Sequence, residues 1–194
     1  MKKLDFGQLL SSTVTIGLKN LPSLLGCVVL WALTIWIPYV NVGTTIAIIT
    51  IPAALSKGKI ISPLEIFDKK YFKYMGEYFL VSGLKSLILL PAMLFLFIPA
   101  IVLSIAYSLA TLLVIDKGKG AAEALKLSNQ LTSGNKWIIF LAQLVIYIAF
   151  VIVFWLFSKI WSILGLVALL LAIPFFLGFK ANIYGHLAGD VAEE

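Results

Sequence analysis

A chain of 194 residues with 61% hydrophobic and 12% charged side chains, and a mean hydropathy of +1.06, lies far from water-soluble domains, which average about 45–50% apolar and about 25% charged residues. A soluble globular domain of this length could not hide so much apolar surface and is excluded. The net charge of +6 comes from lysines without a single arginine; these flank apolar stretches rather than building a basic module, which argues against nucleic acid and for anionic lipid headgroups, worth on the order of 1 kcal/mol per lysine near the surface.

Residues 1–19 carry lysines, but their apolar positions are interleaved with Ser, Thr and Gln. They lack a signal-peptide core with a cleavage site, and the chain is expected to stay uncleaved. Six apolar stretches follow, at residues 21–37, 42–55, 78–98, 99–115, 137–157 and 162–179. Each is expected to be a transmembrane helix, because hydrocarbon offers open backbone groups no partner. Stretch 42–55 is short. At 1.5 Å per residue it covers about 21 Å, so it must thin the bilayer, extend into Ser56 and Lys57, or stop short of crossing. Cys27, the single cysteine, lies in the first stretch and is expected to be a small packing residue.

The lysines set the threading. Lys2, Lys3 and Lys19 precede the first stretch, Lys57, Lys59, Lys69, Lys70 and Lys73 occupy one long connector, and Lys117, Lys119, Lys126 and Lys136 occupy the other. Only Lys159 sits at a hairpin tip, and all nine acids lie on the side of the connectors. The positive-inside rule then predicts a multi-pass protein of the cell membrane, with both termini and both connectors in the cytoplasm. The tips at 38–43, 97–100 and 158–161 would face outside.

Lys57-Gly58-Lys59 and Lys117-Gly118-Lys119 recur in step with Ile37-Pro38 and Ile98-Pro99, so one membrane domain, 1–194, divides into repeat units 1–59, 60–119 and 120–194. Each unit is an amphipathic segment followed by an apolar hairpin. Ser62, Pro63 and Glu65 form a capping-box pattern, predicting a helix with Phe67, Tyr71, Met75 and Tyr78 on its apolar face. Lys69, Lys70 and Lys73 take its wetter side and, with Tyr71 and Tyr74, are the candidate contacts for lipid headgroups. A second such helix is predicted between Gly120 and Gly134, with Ala121, Leu125 and Leu131 inward and a Glu123–Lys126 pair.

Lys85 is the one charge that this division leaves well inside a span, about 12 Å beyond Glu77 along the helix. It either contacts a substrate, pairs with Asp116 at the inner end of the next helix, or snorkels to the headgroups. Lys85, Asp116 and Gln143 are the candidate intramembrane polar site. Ser104, Tyr107, Ser108 and Thr111 share a helical spacing that suits either a polar path or helix packing. Pro52, Pro91 and Pro174 interrupt three of the spans and free backbone carbonyls. Catalysis finds little support: the only histidine, His186, stands near Asn182 and Asp190 without a nucleophile, metal motif or phosphate loop. A non-enzymatic protein with no cofactor is expected.

Residues 98–140 carry Ile98-Pro99, the exit at Asp116, Glu123-Ala124-Leu125 with Ser128, and Leu131-Thr132-x-Gly134 before Trp137. This stretch resembles a poorly characterised group of bacterial integral-membrane proteins related to the membrane domain of some glycerophosphoryl diester phosphodiesterases. The resemblance implies a six-helix polytopic fold with amphipathic helices and no agreed activity; the phosphodiesterase activity is not carried over. The combined expectation is an all-α membrane protein that interacts with anionic lipids as an accessory module of the cell envelope. The competing expectation is a small transporter or channel subunit with a polar path near Lys85. The short connectors also suit a protein partner or a second copy in the membrane.

Overall fold

The computed structural model describes residues 2–95 and 97–193. Long apolar runs can satisfy their backbone in hydrocarbon only by coiling on themselves, and among the described residues every regular element is helical. In chain order these are α1 (Phe6–Lys19), α2 (Leu21–Thr34), α3 (Pro38–Ser56), a 3-10 turn (Pro63–Phe67), α4 (Lys69–Lys73), α5 (Met75–Phe95), α6 (Phe97–Ala106), α7 (Ala110–Lys117), α8 (Ala121–Thr132), α9 (Lys136–Ile160) and α10 (Ser162–Ala188).

Five helical stretches are long and apolar enough to cross a membrane: Pro38–Ser56, Met75–Leu94, Phe97–Lys117, Lys136–Ile160 and Val167–Ala188. A sixth exists when α1 and α2 count as one span bent by 71°. The doubtful crossing is therefore the first stretch and not 42–55. Pro38 occupies the first turn of α3, where its missing N–H costs nothing, and the helix reaches 19 residues, about 28 Å. At the bend, the Asn20 amide donates to the Ile16 carbonyl at 3.1 Å, and Pro22 starts α2 afresh.

The core gathers on α10, against which α1, α2, α3 and α9 pack. Two glycines let α1 and α10 close up: a Cβ on Gly178 would meet the Thr13 carbonyl oxygen at 3.1 Å, and one on Gly17 would meet the Phe175 ring at 3.0 Å. Thr34 and Thr44 share a 2.8 Å hydroxyl hydrogen bond, and Trp31 Nε1 donates to Thr45 at 2.9 Å, fastening α2 to α3. α5 stands at the periphery. Only 6% of its spanning window is buried, against 50% for the window of α3.

The connector after α3 differs from the predicted single helix. Ser62 makes no side-chain cap, and the chain forms the 3-10 turn, then α4 capped by the Asp68 carboxylate accepting from the Lys70 N–H at 2.9 Å. It folds back along α2 and α3, with Pro63 against Gly26 and Phe72 against Gly43. Phe72 also packs on Tyr39, ring centroids 5.4 Å apart.

The span Phe97–Lys117 is broken between α6 and α7. A break inside hydrocarbon frees a carbonyl and an amide that must find partners, and α8 supplies them. Ser128 Oγ donates to the Ala106 carbonyl at 2.6 Å and accepts from the Leu109 N–H at 3.2 Å. Glu123 pairs with Lys119 at 3.7 Å rather than with the expected Lys126. Ser128→Ala is expected to lower stability by about 1–3 kcal/mol by stranding the Leu109 N–H and leaving the Ala106 carbonyl only a long 3.5 Å bond from Thr132, measured as thermal unfolding in detergent, whereas Ser86→Ala on the exposed face of α5 should stay within about 0.5 kcal/mol.

Candidate functional site

Three helix faces converge beneath the break in the span. On α5, Tyr78, Ser82 and Lys85 follow helical spacing; on α6 and α7, Ser104, Ser108 and Thr111 do the same; α10 contributes Phe176, Phe179, Lys180 and Ile183. They enclose two cavities of about 180 and about 230 Å³ that share Lys85, Ser108 and Lys180. Gln143 of α9 borders the larger. Lys85 is half-buried and Lys180 exposed, and no acid lines either cavity. Neither ammonium has a hydrogen bond or an ion pair among the described residues.

Lys180 escaped the sequence division because the last apolar stretch was closed at residue 179, whereas α10 runs on to Ala188. The signal was present in Ala181, Ile183, Tyr184, Leu187 and Ala188, all buried, which continue one apolar stripe past the lysine.

Asp116 is not part of this cavity. Lys57 Nζ sits 2.7 Å from Asp116 Oδ1, and the Tyr184 hydroxyl donates to Oδ2 at 2.8 Å. Both carboxylate oxygens are thus engaged away from Lys85, and the expected Lys85–Asp116 pair does not form. The reason lies in how the helices stop. The two Lys-Gly-Lys turns terminate α3 and α7 with glycines at φ +73° and +70°, a left-handed conformation that favours glycine, and so bring Lys57 and Asp116 to one end. Glu193 approaches Lys57 at 3.7 Å and Lys117 at 3.8 Å. This is the basic end of the molecule.

The five candidate headgroup contacts divide. Lys70 is held by Glu65 at 3.1 Å and Asp68 at 3.3 Å and lies over the Tyr71 ring at 4.8 Å. Burial works against its charge, but the hydrogen bond with Glu65, the neighbouring Tyr71 and the bond with Asp68 hold it above the ordinary lysine value. Tyr71 is buried, which raises its phenol. Tyr74 is half-buried beside Lys57 and Asp116 in a cavity of about 240 Å³. Lys69 and Lys73 are exposed.

Asp68, whose carboxyl is held below its ordinary value mainly by the Lys70 N–H, ties this segment to pH. Its folded value is the lower one, so the cap contributes fully at neutral pH and is lost as pH falls through the acid range.

His186, Asn182 and Asp190 anchor the N-terminus instead of forming a centre. His186 Nε2 lies 3.1 Å from the Lys3 carbonyl, Asn182 donates to the Leu9 carbonyl at 3.2 Å, and Asp190 pairs with Lys2 at 2.6 Å. Among the described residues no group of three His, Cys, Asp or Glu side chains gathers to hold a metal ion. Comparisons with protein-family models, with curated proteins and with solved structures find no match for the chain.

Tyr184→Phe removes a hydrogen bond to a charged carboxylate and is expected to cost about 1.5–3 kcal/mol. The same change on an Asp116→Asn background should cost distinctly less, a coupling that unfolding in detergent would read as a double-mutant cycle.

Proposed function

We propose that this chain is a non-enzymatic, multi-pass protein of the cell membrane that interacts with anionic lipids as an accessory module of the envelope. In this reading three helical hairpins, preceded in turn by α1, by the split connector of 3-10 turn and α4, and by α8, are threaded with both termini and both connectors in the cytoplasm. The observation that carries it is the contrast between belt and end. Leu33, Leu87, Leu94, Trp137, Tyr147 and Trp155 are all exposed, Leu94 at 87%, a surface that needs hydrocarbon around it. The basic end, by contrast, holds Lys2, Lys57 and Lys117, with Lys69 and Lys73 exposed on the connector, where anionic headgroups attract lysines. The resemblance of residues 98–140 to bacterial membrane proteins related to the phosphodiesterase-linked membrane domain supports the same class. Its shared positions include Ser128, which partners the broken span, and Asp116, which binds Lys57.

A second reading, a small transporter or channel subunit, draws on the broken span beside the hydroxyl-lined cavity of Lys85 and Gln143, since discontinuous helices build many ion sites. Solute flux into vesicles carrying the purified protein would favour it.

Reporters at Asn41 and Lys159 are expected on one side of the membrane, and a reporter at Lys70 on the other. Because Phe72 rests on Gly43, finding Asn41 with Lys70 would make α2 and α3 a re-entrant hairpin; finding Lys159 with Lys70 would overturn the threading. Native mass spectrometry is expected to find anionic phospholipid retained at moderate salt, and a lipid-free protein at that salt would count against lipid interaction.

A further inference from the structure

We propose that Lys85 and Lys180 form an intramembrane site for the phosphate headgroup of an anionic lipid, entering sideways between α5 and α10. The inference rests on the lipid-interacting reading and deepens it by naming the site and the ligand chemistry. Two observations carry it independently: an uncompensated pair of cations and a lateral opening.

Ionisable groups within a span are costly and ordinarily find a partner of opposite charge. Asp116 obeys this with Lys57. The two cavity lysines do not: both line the same two cavities, and no acid lines either. The missing charge is therefore negative and comes from outside the chain. Ser82 and Thr111 add hydroxyls beside the lysines, while Ser104 and Ser108 donate to the Ile101 and Ile105 carbonyls and present only their oxygens. Ammonium and hydroxyl donors arriving from three helices suit a tetrahedral group with several oxygens better than a planar carboxylate.

The opening decides between a lipid and a free anion. Lys180 is exposed although it lies within the span Val167–Ala188, and α5, which carries Lys85, packs chiefly on α6, α7 and α8. The gap between α5 and α10 thus faces the belt. Its α10 wall presents the half-buried Phe176, apolar surface that an acyl chain covers and a hydrated ion does not. Lys180 stands four residues before Tyr184, about 6 Å along the helix, so the site lies one turn inside the basic end, within reach of a headgroup pulled slightly inward.

The test uses the whole protein in neutral detergent, with phosphatidylglycerol, phosphatidylcholine and inorganic phosphate as separate probes. Binding is read by native mass spectrometry, stability by thermal unfolding. The wild type should prefer phosphatidylglycerol about tenfold, a preference that Lys85→Gln with Lys180→Gln abolishes and Lys85→Arg with Lys180→Arg keeps within about threefold. Lys69→Gln with Lys73→Gln should leave the preference within about twofold. Without lipid, the double glutamine variant should unfold no earlier than the wild type, because it removes two repelling charges; a structural role for the lysines would lower that temperature. Undiminished retention by the double glutamine variant overturns the site while leaving lipid interaction intact. A wild type that retains no anionic lipid overturns both. Equal stabilisation by inorganic phosphate overturns the lipid assignment.

Discussion

Hydrocarbon offers a stranded carbonyl or amide nothing to bond to, and the span Phe97–Lys117 is broken in its middle. The Ser128 hydroxyl meets both halves of that demand, donating to Ala106 and accepting from Leu109. Much else follows from this one side chain. To reach the break, α8 must lie against α6 and α7, which explains why an otherwise polar helix buries Ala121, Ala124, Leu125, Ser128 and Thr132 along one stripe. With α8 docked, the turn after it is fixed, and Asn135 can hold the N-terminal segment, accepting from the Leu4 N–H at 2.9 Å and donating to the Lys2 carbonyl at 2.8 Å. Ser108 in the break and Thr111 just beyond it line the cavity that Lys85 and Lys180 share.

Apolar length and glycine chemistry were legible from residues alone. The apolar stretches became helices with shifts mostly at their ends, and the glycines of the two Lys-Gly-Lys turns stop α3 and α7 in the same conformation. What was not legible were choices among near-equal partners. Glu65 and Asp68 could each serve a cap or an ion pair; Glu65 took Lys70, and Asp68 took both Lys70 and the cap of α4. That choice split the expected amphipathic helix. The small side chains at Gly26 and Gly43 then gave Pro63 and Phe72 seats along α2 and α3, a tertiary fit that no local pattern announces.

The three residues of the candidate polar site fall in two places. Lys85 and Gln143 share a cavity, but Asp116, placed with them for its position at the inner end of the next helix, does not line it. Distance along a helix misjudges direction. Asp116 lies in the last turn of α7, beside the end of α3, so the ammonium that reaches it is Lys57, and Tyr184 of α10 completes the pair. Once Asp116 is spent there, Lys85 and Lys180 share cavities that no acid lines.

The two lysine arrangements differ in what they do to the fold. Lys57 with Asp116, Tyr184 and Glu193 ties α3, α7 and α10 together with its charges satisfied inside the chain, so removing any member weakens the bundle. Lys85 with Lys180 places like charges on helices that share little other contact, and their repulsion tends to part α5 from the core. An anion between them reverses the sign of that interaction and draws α5 against α10. A ligand bound between them therefore stabilises the arrangement that holds it in proportion to its affinity.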